Sequence, residues 1–206
     1  MKTPSHKNRQ HGFTIVELII VVTIISMLLA FGTPYVLSSL QAASLTSSGD
    51  LLMQKISQAQ QRALTENRPV SLQFYFYDQD GIDACHAVQL VSVDPATNVT
   101  VPLENPVYWS DGRAVLASGA LSPIFSQIAP ADTGEAEFEP FRSREATFFR
   151  VRFYPGGSTS LAVPLRQAYV TLIASNRHEE EMTEPPPNYY TVQIDPVAGR
   201  VRSYRP

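Results

Sequence analysis

The chain has 206 residues, 44% of them hydrophobic, with a formal net charge of -3 and a single cysteine, Cys85. That charge gives no global signal for nucleic acid, and one thiol excludes an internal disulfide, so an exported domain of this chain must be held by packing. Beyond an apolar N-terminal stretch about 170 residues remain, enough for one modest domain with its own core.

The first segment, MKTPSHKNRQHG, carries Lys2, Lys7 and Arg9 and no acid. From Phe13 to Leu37 the chain is then apolar apart from one carboxylate, Glu17. At 1.5 Å per residue a helix over this stretch can cross a hydrocarbon core of roughly 30 Å, and the basic head is expected to stay on the cytoplasmic side. A lone ionised Glu17 facing lipid would cost on the order of 3 kcal/mol, so a partner for it is expected. A cleavable secretory signal has a shorter apolar core, with its small residues after the core, whereas here the small residue Gly12 comes before it. A plain signal anchor needs no such pattern at its head. Pro34 removes one helical hydrogen bond and predicts a kink, strengthened by Gly32.

Gly12-Phe13-Thr14-Ile15-Val16-Glu17, followed by the apolar run with Pro34 inside it, resembles the type IV prepilin family. The resemblance implies cleavage between Gly12 and Phe13 by a membrane-embedded prepilin peptidase, which also N-methylates Phe13. It implies that Glu17 pairs with the terminal amine of a neighbouring pilin or pseudopilin subunit during assembly, and that the helix loosens near Pro34 in a filament. It further implies a single-pass protein of the bacterial inner membrane with its globular part on the periplasmic side.

Residues 38–67 are predicted to continue the helix as an amphipathic half, with Leu45, Leu52, Ile56, Ala59 and Ala63 on one face, Gly49 marking a bend and Pro69 ending it. Residues 70–77 alternate strictly and predict a half-buried strand with Val70, Leu72, Phe74 and Phe76 on the buried side. A turn-rich break over 78–83 precedes a hairpin partner at 86–93 and a short strand at 99–103. The proline-rich middle, 105–144, predicts only short strands and loops, with an apolar piece at 114–116. Residues 147–154 predict a strand with Phe149, Val151 and Phe153 inward and Phe148, Arg150, Arg152 and Tyr154 outward. Pro155-Gly156-Gly157-Ser158 turns it into a second strand at 159–163; without a Lys-Ser/Thr ending or a following helix it is no phosphate loop. Further strands are expected at 169–174, 189–194 and 200–204, with a polar loop over 175–188.

The expected fold is α+β, in four parts: a leader at 1–12, a transmembrane and assembly helix at 13–37, its amphipathic continuation at 38–68 and a β-rich domain of antiparallel strands at 69–206. The Arg-Phe-Tyr-Pro-Gly-Gly hairpin and the final Val-Gln-Ile-Asp-x-x-x-Gly-Arg-Val resemble H-type minor pseudopilins and FimT-like minor pilins. Leu64, Asn67, Arg68, Pro69, Val70 and Phe74-Tyr75 resemble the pilin-like cassette protein D group. The implied function is a minor subunit of a type II secretion pseudopilus or a type IV pilus, or alternatively a DNA-binding minor pilin for DNA uptake. The second would use Arg200, Arg202 and Arg205, with Arg200 and Arg202 on one face of a strand and able to reach successive phosphates.

No catalytic set and no cofactor is expected. Cys85 and His86 are adjacent on a strand and point to opposite faces, which argues against a nucleophile pair or a metal site. Glu179-Glu180-Glu181 with Glu184 could offer oxygens to calcium, but a solvated loop is the simpler expectation. Asn98-Val99-Thr100 fits a glycosylation acceptor that a bacterial-type leader makes uninformative.

Overall fold

A computed structural model describes residues 14–79, 81–94, 99–109, 114–117, 119–128, 133–137, 145–162, 164–177 and 182–206. One α-helix, α1, spans Ile15–Glu66, 52 residues. The chain divides into two units, Met1–Leu40 and Gln41–Pro206.

In the first unit α1 is apolar around its circumference, and its large hydrophobic side chains are exposed from Ile15 (80%) to Phe31 (65%). A helix apolar all round belongs in a protein core or a membrane rather than in water. Residues 15–31, the part of this apolar head whose side chains are described, rise about 26 Å, short of a hydrocarbon core of about 30 Å. Among the described residues no helix is long and apolar enough to cross a membrane. The side chain of Pro34 lies outside the described residues, and the backbone around it is helical.

In the second unit α1 is amphipathic, and Leu45, Leu52, Ile56, Ala59 and Ala63 are fully buried at spacings of three, four or seven residues. They pack on a ten-stranded sheet. Its strands are β1 (Val70–Gln79), β2 (Ile82–Val93), β3 (Thr100–Pro102), β4 (Val107–Tyr108), β5 (Ala114–Leu116), β6 (Thr133–Glu137), β7 (Glu145–Phe153), β8 (Tyr169–Ala174), β9 (Tyr189–Ile194) and β10 (Val201–Tyr204). The order is β10-β9-β8-β5-β2-β1-β7-β6, with β3 and β4 also paired to β2. The pairings are antiparallel. The shared core includes Leu72, Phe74, Val88, Leu90, Val151 and Phe153 from the central strands. The architecture is α+β, a helix packed on a large antiparallel sheet.

Several expectations need correction. The helix continues through Gly49, where a Cβ would stand 2.5 Å from the Tyr190 ring, so glycine lets β9 approach the helix. The helix stops before Pro69, at Glu66, because Asn67 turns into the left-handed region at φ 48°, a conformation asparagine tolerates well. β1 is buried on both faces rather than one, so Ser71, Gln73, Tyr75 and Tyr77 are interior. Tyr75 is satisfied across strands: its Oη donates to Gln89 Oε1 at 2.6 Å, and Gln89 Nε2 donates to the Glu104 carbonyl at 2.8 Å. Arg150, expected outward, is 5% exposed; its Nε donates to Gln73 Oε1, its Nη2 donates to Thr100 Oγ1, and its guanidinium stacks on Phe148.

The expected break over 78–83 is tight, since Gln79 pairs directly with Ile82 and Gly81 takes φ 79°. β2 therefore begins four residues earlier than the strand expected at 86–93. A β-bulge accompanies the longer strand: Tyr75 pairs with Ala87 and Phe76 with Cys85, leaving His86 as the extra residue. Trp109 satisfies the carbonyls there, its amide donating to His86 and its indole Nε1 to Cys85 at 2.6 Å. The second strand expected at 159–163 reduces to one bridge between Phe153 and Thr159, with Val163 outside the described residues. Its ladder ends because the Arg152 amide donates to the Ser160 hydroxyl rather than to the Ser160 carbonyl, while the outward Thr159 amide donates to Pro196.

Replacing Gly49 by alanine is expected to destabilise the second unit by about 1–3 kcal/mol through overpacking against Tyr190. Equilibrium denaturation of the detergent-solubilised chain measures this, with Ser47→Ala, exposed on the same helix, as the neutral control.

Candidate functional site

Two regions bear the candidate residues, and the first is the head of α1. Gly12 and Phe13 lie outside the described residues. Thr14 stands just before the helix; its Oγ1 accepts the Glu17 amide at 3.2 Å and its carbonyl accepts the Leu18 amide at 3.1 Å. Thr14 is thus the N-cap, and Glu17 occupies the third helical position, the spacing of a capping box. A carboxylate in this first turn is favoured by the positive end of the helix dipole. Glu17 is exposed and is surrounded by exposed apolar side chains, so it is the one charge on an otherwise greasy surface over 15–31. The signal in the sequence for the capping role of Thr14 is the Thr-x-x-Glu spacing itself.

The second region is the β9–β10 hairpin. Its turn is built by Asp195, whose Oδ1 accepts the amides of Val197 and Ala198 at 2.9 and 3.1 Å, and by Gly199 at φ 65°, whose amide returns to the Asp195 carbonyl. Those two amide bonds, and then the charges of Arg200 and Arg202, hold the Asp195 carboxyl below its ordinary range. Arg200 and Arg202 are exposed and line one shallow depression with Leu165, Gln193, Asp195 and Ala198. Arg205 does not join them. The strand pleat carries Val201 into the core and Arg205 toward α1, where Nη1 donates to Thr46 Oγ1 and Nη2 donates to the Ala42 carbonyl at 3.5 Å. The expected three-arginine cluster is therefore a pair, with a carboxylate beside it.

Other candidates stay apart. Cys85 is fully buried among the core residues, and burial pushes its thiol well above the usual range, so it holds no reactive thiolate. His86 lies against the Tyr77 ring, 4.8 Å between centroids, with Nε2 3.0 Å from the Ile82 carbonyl. Among the described residues no group of His, Cys, Asp or Glu is placed to hold a metal ion. The run Glu179-Glu180-Glu181 and Asn98 lie outside the described residues, and Glu184 is exposed. At 154–158 the Gly157 amide donates to the Tyr154 carbonyl and the Tyr154 amide to the Ser158 carbonyl, the bonds of a tight turn.

A family model described as the prokaryotic N-terminal methylation motif matches residues 7–33. No curated protein matches the chain. Among solved structures, the chain is similar to the type IV minor pilin FimU of Pseudomonas aeruginosa (strain PAO1) in two crystal forms. One is 12% identical, covering 79% of this chain and 92% of that one with a TM-score of 0.41. The other is 14% identical, covering 79% and 97% with a TM-score of 0.40. The N-terminus is thus prepilin-like.

Replacing Thr14 by valine removes the cap, worth about 1 kcal/mol, so amides of the first helical turn are expected to exchange with solvent about fivefold faster in micelles, with Thr14→Ser close to wild type. The Asp195 turn has the opposite exposure to acid. Because its carboxyl titrates below the ordinary range when folded, the stabilisation is present above the ordinary carboxylate pKa and is lost as the pH falls through the lowered value. Amide chemical shifts of Val197 and Ala198 in an acid titration report that loss.

Proposed function

We propose that this chain, prepilin-like at its N-terminus, is a minor subunit of a type IV pilus or a type II secretion pseudopilus, a structural protein rather than an enzyme. A prepilin peptidase cleaves it between Gly12 and Phe13 and methylates Phe13, and it assembles from the bacterial inner membrane, with the sheet-bearing unit on the periplasmic side. The observation that carries this reading is the methylation motif over 7–33, seated on a helix whose first turn holds Glu17 and whose apolar side chains over 15–31 are uncovered.

The two halves of α1 divide the work. The second half belongs to the folded unit and buries its stripe there. The first half has no such cover within its own unit, so its apolar surface suits lipid before assembly and neighbouring helices after it. Glu17 then gives register: in an apolar bundle the terminal amine of an adjacent subunit is the charge that offsets it. Pro34, which cannot donate a helical hydrogen bond, supplies the weak point between the halves.

A second reading, a minor pilin that binds DNA, is favoured by one observation, the shared exposure of Arg200 and Arg202 along a single depression. Two cations support a weak, salt-dependent phosphate contact, and Asp195 beside them weakens it further.

Intact mass of the membrane-extracted chain, expressed with and without a prepilin peptidase, tests the first reading. The expected product starts at N-methylated Phe13 and forms only with the peptidase; a product that keeps the leader, or is cut beyond residue 37, removes it. Glu17→Val is expected to be processed normally and to be lost from sheared filaments. For the second reading, Arg200→Ala with Arg202→Ala is expected to abolish DNA retention at low salt, whereas Arg205→Ala leaves it unchanged; retention that survives the double substitution excludes this site.

A further inference from the structure

The β9–β10 hairpin runs along one ridge of α1. Tyr190 Oη donates to Asp50 Oδ1 at 2.9 Å and lies 3.3 Å from Met53 Sδ, and its ring covers Gly49. Arg205, just past β10, reaches Thr46 and Ala42. The helix positions touched are 42, 46, 50 and 53, four, four and three residues apart and so on one face. Arg205 makes the contact nearest the start of the second unit, which begins at Gln41.

The polar groups at this contact are matched. The Thr46 hydroxyl donates to the Ala42 carbonyl at 2.8 Å, which leaves its oxygen to accept from Arg205 Nη1, while Nη2 approaches the same Ala42 carbonyl. A threonine that bonds back to the preceding turn ordinarily loosens a helix. The guanidinium turns that local weakness into a tertiary link, since its fixed fork can meet both oxygens at once. Charge favours the arrangement too, with Asp50 one turn further along and the Asp50 and Arg205 charges both felt at Tyr190.

We propose that Arg205 is a positioning residue, a strap that closes the β9–β10 hairpin over the Ala42–Thr46 turn and fixes where along α1 the folded unit begins to hold the helix. The turns before Ala42 are free to loosen, and those after Thr46 are not. The strap acts on the second unit alone and is independent of which filament the chain joins.

Amide exchange of the full chain in detergent micelles tests this on wild type, Arg205→Ala, Arg205→Lys and Thr46→Val. For Arg205→Ala the amides of residues 44–50 are expected to exchange about fivefold faster, the effect of one surface-exposed charged hydrogen-bond pair, with 52–63 and β9 unchanged. Lysine, a point charge without the fork, restores only part of the protection. Thr46→Val removes one of the two oxygens the fork meets and gives part of the Arg205→Ala effect, and the double variant exchanges no faster than Arg205→Ala alone, as expected for two ends of one link. Unchanged exchange at 44–50 in Arg205→Ala, or an acceleration spread equally over 52–63 and β9, overturns the proposal.

Discussion

The burial of one helical stripe against the sheet is the constraint on which the second unit rests. Leu45, Leu52 and Ile56 are each removed from solvent, a gain of about 1.5–3 kcal/mol apiece, and Ala59 and Ala63 bring the helix close where the core narrows. Close approach is also what Gly49 provides under Tyr190. Around this contact the polar links are set at its edges: Lys55 pairs with Glu104 at 2.7 Å, Gln60 donates to the Ala198 carbonyl, and Tyr190 reaches Asp50. Each ties a loop or hairpin to the helix, so the helix serves as the spine to which distant parts of the chain are referenced.

The same helix is governed by another rule at its head. Over 15–31 no side is polar enough to prefer water, and the one charge, Glu17, sits in the first turn, where the helix dipole and the Thr14 cap already suit a carboxylate. An apolar segment can therefore keep an acid without distorting its own helix, and still present that acid outward. The folded unit and the greasy head make opposite demands on solvent: one buries its apolar stripe within itself, the other leaves its apolar side chains uncovered.

The elements with strong periodicity were legible from residues alone. The stripe on the second half of α1 and the alternation of Val70, Leu72, Phe74 and Phe76 each name a buried face without further knowledge. What the alternation hid was the opposite face of β1, because Gln73 and Tyr75 carry polar groups that become interior only when Arg150 and Gln89 arrive from other strands to satisfy them. β6 was hidden for a related reason: Thr-Gly-Glu-Ala-Glu has no apolar pattern, and its strand is defined by pairing with β7. At the last hairpin the three arginines read as one cluster in a linear sequence, yet the pleat sends Arg205 to the helix side. The Thr14 cap is legible in the sequence from its spacing to Glu17.

The bulge at His86 is closed by Trp109, the one tryptophan of the chain, which is 3% exposed and gives its indole proton to the Cys85 carbonyl. This indole sits in the centre of the sheet and far in sequence from α1. Its fluorescence is therefore an internal gauge of the sheet: the emission shifts to the red when β2 comes apart and stays blue while only the greasy head of α1 changes its surroundings. The molecule carries its own means of telling unfolding from relocation.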